Sequence, residues 1–245
     1  EGGIREFVTH IHNTRGLEVL SPEVIYVSGM KDDYTAEVAM QYNDSYNELI
    51  LSFANNVHTP DGGTHETGFK NALTKVINDY GKKFNLLKKD EKLLGDDVRE
   101  GLTAIVSVKL TNCEFEGQTK GRLGNPEVRP FIEAMVYEKL MNYLEAGNIV
   151  NSVNFPRTDL GPIRGTGRIS IFHKNIPNMI GQITAILYEN GINIENMTDK
   201  SRGEYAYGLI DVDCEFSADL ADKIRAIDGV SRVRLIEAKN FCKKF

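Results

Sequence analysis

The chain has 245 residues, 41% hydrophobic and 26% charged, enough for one large or two small globular domains and unlike a disordered or fibrous chain. A formal net charge of −6 excludes nucleic-acid binding by bulk electrostatics and leaves only a local basic surface for it. No apolar run reaches the roughly 18 residues of a membrane span, and Glu1-Gly2-Gly3-Ile4-Arg5 lacks the basic and apolar segments of a signal peptide, so a cytoplasmic location with no membrane partner is expected.

Cys113, Cys214 and Cys242 stand far apart without a Cys-x-x-Cys pair, which argues against a disulfide framework or a zinc site and fits a reducing compartment. The start at Glu1, without an initiator methionine, reads as a fragment. In chain order, Val24–Val27, Ala36–Tyr42 and Leu49–Phe53 are β-branched or alternating runs and predict an antiparallel meander. Asp61-Gly62-Gly63-Thr64 breaks the pattern, with Thr64 or Asp61 favoured as a helix cap over an anion site at the helix start. Phe69, Leu73, Val76, Ile77 and Tyr80 then recur at helical spacing. Leu102–Leu110 reads as a buried strand, residues 114–125 as a glycine-bearing loop, and Val128–Leu144 as an apolar-faced helix ending near Gly147. Residues 147–167, rich in Gly and Pro, are the linker candidate. Beyond them the order strand 169–172, helix 179–190, strand 192–197, strand 205–212, helix 218–227 and strand 230–236 predicts a ferredoxin-like βαββαβ unit.

Several motifs in the first half occur together: Gln41-Tyr42-Asn43-Asp44, Gly62-Gly63-Thr64-His65, Gly95-Asp96-Asp97-Val98-Arg99 and Phe115-Glu116-Gly117-Gln118-Thr119-Lys120. Their order and spacing resemble the transducer domain of DNA gyrase B, part of a type II topoisomerase, over residues 1 to about 135. In that family the Gln-Thr-Lys loop reaches the γ-phosphate of ATP in a neighbouring ATPase domain. The resemblance therefore implies that Gln118 donates a hydrogen bond to the phosphate and Lys120 supplies a point charge. The family's transducer helix faces a DNA cavity, which makes Lys70 and Lys75 either phosphate contacts or a solvated helix face. The family's ATPase residues and its metal-binding cleavage cluster are not among these residues. No catalytic residue, no metal site and no cofactor is expected in this chain alone; ATP with magnesium enters only with a supplied ATPase domain.

From about residue 140 to 236 the sequence resembles the ACT domain of D-3-phosphoglycerate dehydrogenase, on His173-Lys174-Asn175-Ile176-Pro177, Gly191-Ile192-Asn193-Ile194 and Ser201-Arg202-Gly203-Glu204-Tyr205. That family pairs its ACT domains and binds L-serine at the shared interface. The resemblance implies His173, Asn175 and Asn193 as effector contacts and a homodimer as the working form. Asn178 stands where the family often has glycine.

The fold class expected is therefore α+β. A transducer-type βαβ sandwich of ribosomal-protein-like kind covers 1–146, a linker 147–167, and a ferredoxin-like βαββαβ ACT domain 168–245. The function expected is that of a non-catalytic chimeric fragment, relaying ATP state towards DNA and carrying an amino-acid-binding regulatory module. Two other readings stand beside it: a topoisomerase component that works only with ATPase and cleavage domains supplied, and a small-molecule sensor built on the ACT half.

Overall fold

The computed structural model describes residues 2–21, 23–88, 90–149, 156–217 and 219–238. The middle of the expected linker, the first residue of the expected 218–227 helix, Cys242 and the tail of the expected ACT domain lie outside the described residues. The chain forms two compact units, Glu1–Met141 and Asn142–Phe245. Both mix helices with sheet.

The first unit is built on a five-stranded sheet of order β1-β2-β5-β3-β4, comprising β1 (Ile25–Lys31), β2 (Tyr34–Tyr42), β3 (Leu49–Ala54), β4 (Val57–His58) and β5 (Leu102–Lys109). The expected meander is corrected here. β1 and β2 pair as an antiparallel hairpin, but β5 lies between β2 and β3 and runs parallel to β3. Burial explains the insertion, because every β5 residue from Leu102 to Val108 is buried, and such a strand is stable only at the centre of a sheet covered on both faces. The Asn55-Asn56 turn between β3 and β4 has φ values of 47° and 64°, the left-handed pair that a two-residue hairpin requires and that asparagine tolerates.

A helix not expected from the sequence, α1 (Gly3–Arg15), covers one face. Its Ile4, Val8 and Ile11 meet Ala39 and Ile105, and it ends on Gly16 in the left-handed region. Helix α2 (Thr64–Lys83) links β3 to β5 as the crossover of a βαβ unit and lies on the other face with α4 (Val128–Ala146). A Cβ on Gly68 would lie 2.7 Å from the Arg129 carbonyl oxygen, so this glycine lets α2 and α4 approach closely. A short helix α3 (Gly95–Arg99) precedes β5, and its Asp97 carboxylate accepts from the Leu94 amide at 2.8 Å.

The motif Gln41-Tyr42-Asn43-Asp44 builds structure. The His12 Nδ1–H donates to Gln41 Oε1 at 3.1 Å, and Asn43 Nδ2 donates to His12 Nε2 and to Thr103 Oγ1 at 3.4 and 3.1 Å. Burial holds the His12 ring below the ordinary histidine range, in agreement with a neutral ring that donates once and accepts once.

The second unit has the element order β8 (Gly167–Lys174), α5 (Met179–Glu189), β9 (Ile194–Arg202), β10 (Tyr205–Val212), α6 (Leu220–Arg225) and β11 (Val230–Glu237). The sheet order is β11-β8-β10-β9, all antiparallel. Helices α5 and α6 bury one face over Ile169, Ile171, Ile210 and Val212. Tyr207, Leu209 and Phe172 on the opposite face are covered by Tyr143, Ile149 and Leu160. Asn148, Ile149 and Thr158, inside the expected linker, are thus buried parts of this unit.

Candidate functional site

The hairpin that carries Gln118 and Lys120 is two residue pairs long: β6 (Phe115–Glu116) against β7 (Arg122–Leu123). Its tip is exposed from Glu116 through Lys120, with Gly117 and Lys120 at φ values of 79° and 55°. The loop expected over 114–125 therefore has a fixed base. Asn125 accepts from the Glu114 amide at 2.8 Å and donates to Asn112 O and to Glu127 at 3.2 and 2.9 Å. Lys120 Nζ sits 5.8 Å from the Phe115 ring centroid, and among the described residues no carboxylate pairs with it.

The hairpin is joined to the start of α2 by two backbone bonds and one from a side chain. Asp61 N donates to Gly121 O at 2.9 Å, Leu123 N to Gly62 O at 3.2 Å, and Arg122 Nη1 to Asp61 O at 3.2 Å. Gly63 forms the joint, with a φ of 144° and no room for a Cβ, which would lie 2.6 Å from both Leu123 N and O. This corrects the expected cap. Gly63 occupies the cap position without a side-chain bond, and Thr64 falls inside the helix with its hydroxyl unpartnered among the described residues, because the strand-like pairing to Leu123 sets where the helix begins. The Glu66 carboxylate, in the first turn of this helix, accepts from Ser52 Oγ at 2.9 Å.

Lys70 and Lys75 have different surroundings. The Lys70 ammonium is 2.9 Å from Glu48 and 3.1 Å from Glu66. Burial opposes its charge, but the two carboxylates together hold it above the ordinary lysine range. Glu48 is shared with Arg99, which also pairs with Asp96. Lys75 is exposed, its Nζ 4.6 Å from the Tyr137 ring centroid.

In the second unit the three expected effector residues are not adjacent. His173 and Asn175 close β8 near Tyr205 and Arg202, whereas Asn193 precedes β9 beside Val212. The six residue steps from Ala206 to Val212 on β10 put these ends roughly 20 Å apart. Asn193 is exposed and donates to Glu195 at 3.4 Å; Asn175 is exposed and donates to Gly203 O at 3.1 Å. His173 is 3% exposed, with Nδ1 2.8 Å from Lys174 O and Nε2 2.7 Å from Asp199 Oδ2. Asp199 escaped the sequence reading because nothing in its local pattern marks it; only the sheet brings it to His173. Asn178 takes the left-handed conformation at φ 65°, as a glycine there would. Gly181 leaves room for its side chain, since a Cβ on Gly181 would lie 2.2 Å from Asn178 Oδ1.

Comparison with known proteins bears on the first unit and the start of the second. A family model described as DNA gyrase B matches residues 3–154, more than half of the chain and including the hairpin and α2. The chain belongs to the DNA gyrase B family. The DNA gyrase B protein of Clostridium acetobutylicum is 57% identical over 147 residues, 59% of this chain and 23% of that protein. The DNA gyrase B protein of Bacillus mycoides is 48% identical over 172 residues, 69% of this chain and 41% of that protein. This gyrase B family chain therefore spans 23% and 41% of the length of these two relatives. Among solved structures, the 43K ATPase domain of Thermus thermophilus gyrase B in complex with an aminocoumarin aligns with a TM-score of 0.54 at 39% identity, over 60% of this chain and 39% of that one. No helix among the described residues is long and apolar enough to cross a membrane.

Proposed function

We propose that residues 1–146 work as the transducer portion of a cytoplasmic type II topoisomerase component, with Gln118 and Lys120 reading the γ-phosphate of ATP held by a neighbouring nucleotide domain. The observation that carries this reading is the hairpin tip. Its lysine is exposed and without a carboxylate partner among the described residues, while its base is bonded to α2 through Asp61–Gly63. A mobile surface lysine would have no such base. ATP with its magnesium would supply a dense negative charge at the tip; Lys120 would meet it as a point charge and Gln118 as a neutral donor. Among the described residues no group of three His, Cys, Asp or Glu is placed to hold a metal, so the magnesium would travel with the phosphates.

For DNA, Lys75 is the better candidate contact, because Lys70 is already engaged by Glu48 and Glu66. The second unit we read as an ACT-type module for an amino acid such as L-serine. Its βαββαβ order and open edge strands β9 and β11 support that reading and favour pairing with a second copy. Asn175 and Asn193 lie at opposite ends of the sheet, so one ligand would meet both only across two copies.

The test of the transducer reading is ATP turnover by a separately purified gyrase B nucleotide domain. Adding this chain raises the rate, and Lys120→Ala lowers the gain roughly 100- to 1,000-fold, the effect of deleting one charge-stabilising donor. The chain alone turns over no ATP. Equal stimulation by wild type and Lys120→Ala refutes the phosphate role.

A further inference from the structure

His173 cannot offer a ring nitrogen to a ligand, because both already face acceptors. The Lys174 carbonyl and the Asp199 carboxylate can only accept, so each ring nitrogen must carry a proton and the ring is an imidazolium. Burial, the largest influence on this ring, opposes its charge, but Asp199 and the Lys174 carbonyl together hold it above the ordinary histidine range.

The pair spans a missing side chain. His173 on β8 and Asp199 on β9 are separated by β10, and they meet because Gly208 lies between them; a Cβ there would stand 2.9 Å from Asp199 Oδ2. One carboxylate oxygen is thus fixed by a charged donor. The other, Oδ1, has no partner among the described residues, and the side chain keeps 19% of its surface on the edge strand.

The same end of the sheet holds a second open acceptor. Asn175 Nδ2 must donate to the Gly203 carbonyl, which leaves its Oδ1 without a partner among the described residues. A carboxylate oxygen and an amide oxygen, both open to accept, suit a donor-rich cation.

We propose that Asp199 receives the ammonium group of an amino-acid ligand, and that His173 is a positioning residue that aims the Asp199 carboxylate. The proposal rests on the amino-acid-binding reading of the second unit.

Calorimetric titration of the full chain with L-serine, and with L-glycerate, which carries a hydroxyl in place of the ammonium, separates the two ideas. Wild type prefers L-serine by at least about ten-fold, and Asp199→Asn, which keeps the shape, loses that preference by weakening serine alone. Gly208→Ala displaces the carboxylate without removing it and lowers the same preference. His173→Gln retains a donor and keeps the preference, whereas His173→Leu abolishes it, a difference that a purely structural role would not produce. Unchanged selectivity in Asp199→Asn, or equal weakening of both ligands, overturns the role of Asp199 and leaves the amino-acid reading standing. A wild-type chain that binds neither compound overturns that reading and the inference with it.

Discussion

Arg168 carries a full charge with no exposed surface, and its environment shows how such a residue is accommodated. Its guanidinium grips Asp211 through two bonds of 2.5 and 3.0 Å, and its remaining donors reach Asn148 Oδ1 and the carbonyls of Ala146, Gly161 and Pro162. Every donor is used, which is the condition under which a buried ion pair is tolerated. Arg234 and Tyr207 act alongside it. Arg234 donates to Tyr143 O and Leu144 O, and Tyr207 Oη donates to Gly147 O at 2.7 Å, so two cations and a hydroxyl meet the carbonyl end of α4. Removing Arg168 alone strands a buried carboxylate. Arg168→Ala is predicted to cost ~3–5 kcal/mol in urea unfolding, and the double change Arg168→Met with Asp211→Leu less than that. A single-mutant cost under about 1 kcal/mol would show that water reaches the pair.

Among elements, the joint between the β6–β7 hairpin and α2 carries the most consequence. Gly63 holds a φ of 144° against the backbone of Leu123, so Gly63→Ala brings both a strained conformation and a clash with atoms that cannot rotate away. The predicted result is a loss of roughly 1–3 kcal/mol. Hydrogen exchange should accelerate together in 121–124 and in the first turn of α2, with β2 and β5 unchanged. Gly117→Ala, where a Cβ meets nothing within 4 Å, should disturb only the tip. Acceleration confined to one side of the joint in Gly63→Ala would mean that hairpin and helix are independent.

For the whole molecule, pH acts on the two units in opposite directions. Burial brings the His65 pKa to about 4. An unfolded histidine near 6.5 takes up its proton first as pH falls, so the first unit loses stability between 6.5 and about 4, by ~3 kcal/mol in all. His12 is lowered for the same reason and adds to that loss. His173 is raised, so its contribution to the second unit is complete below 6.5 and fades as pH climbs through the folded value. Calorimetric scans should show the transition of the first unit falling on acidification and flattening in His65→Asn. An unchanged acid limb in that variant would mean that other groups govern it.

Local pattern alone determined much of this protein. The 3.6-residue spacing of Phe69, Leu73 and Val76 marked α2, and the β-branched run Leu102–Leu110 marked the central strand. The alternation of strand and helix after residue 168 marked the βαββαβ order, because periodicity and turn chemistry are encoded within a few residues. The spacing of Ile4, Val8 and Ile11 holds the same information about α1. The glycines of 114–125 marked a loop, but the short hairpin that carries Gln118 and Lys120 appeared only in the structure. What only the tertiary structure decided were relations between distant segments. The insertion of β5 between β2 and β3, the tie of Leu123 to Gly63, the engagement of Lys70 by Glu48, and the meeting of His173 with Asp199 over Gly208 all join residues far apart in sequence. No local period records such pairings. They form because burying both faces of a strand, or satisfying a charge removed from water, is a property of the packed sheet and not of any one segment.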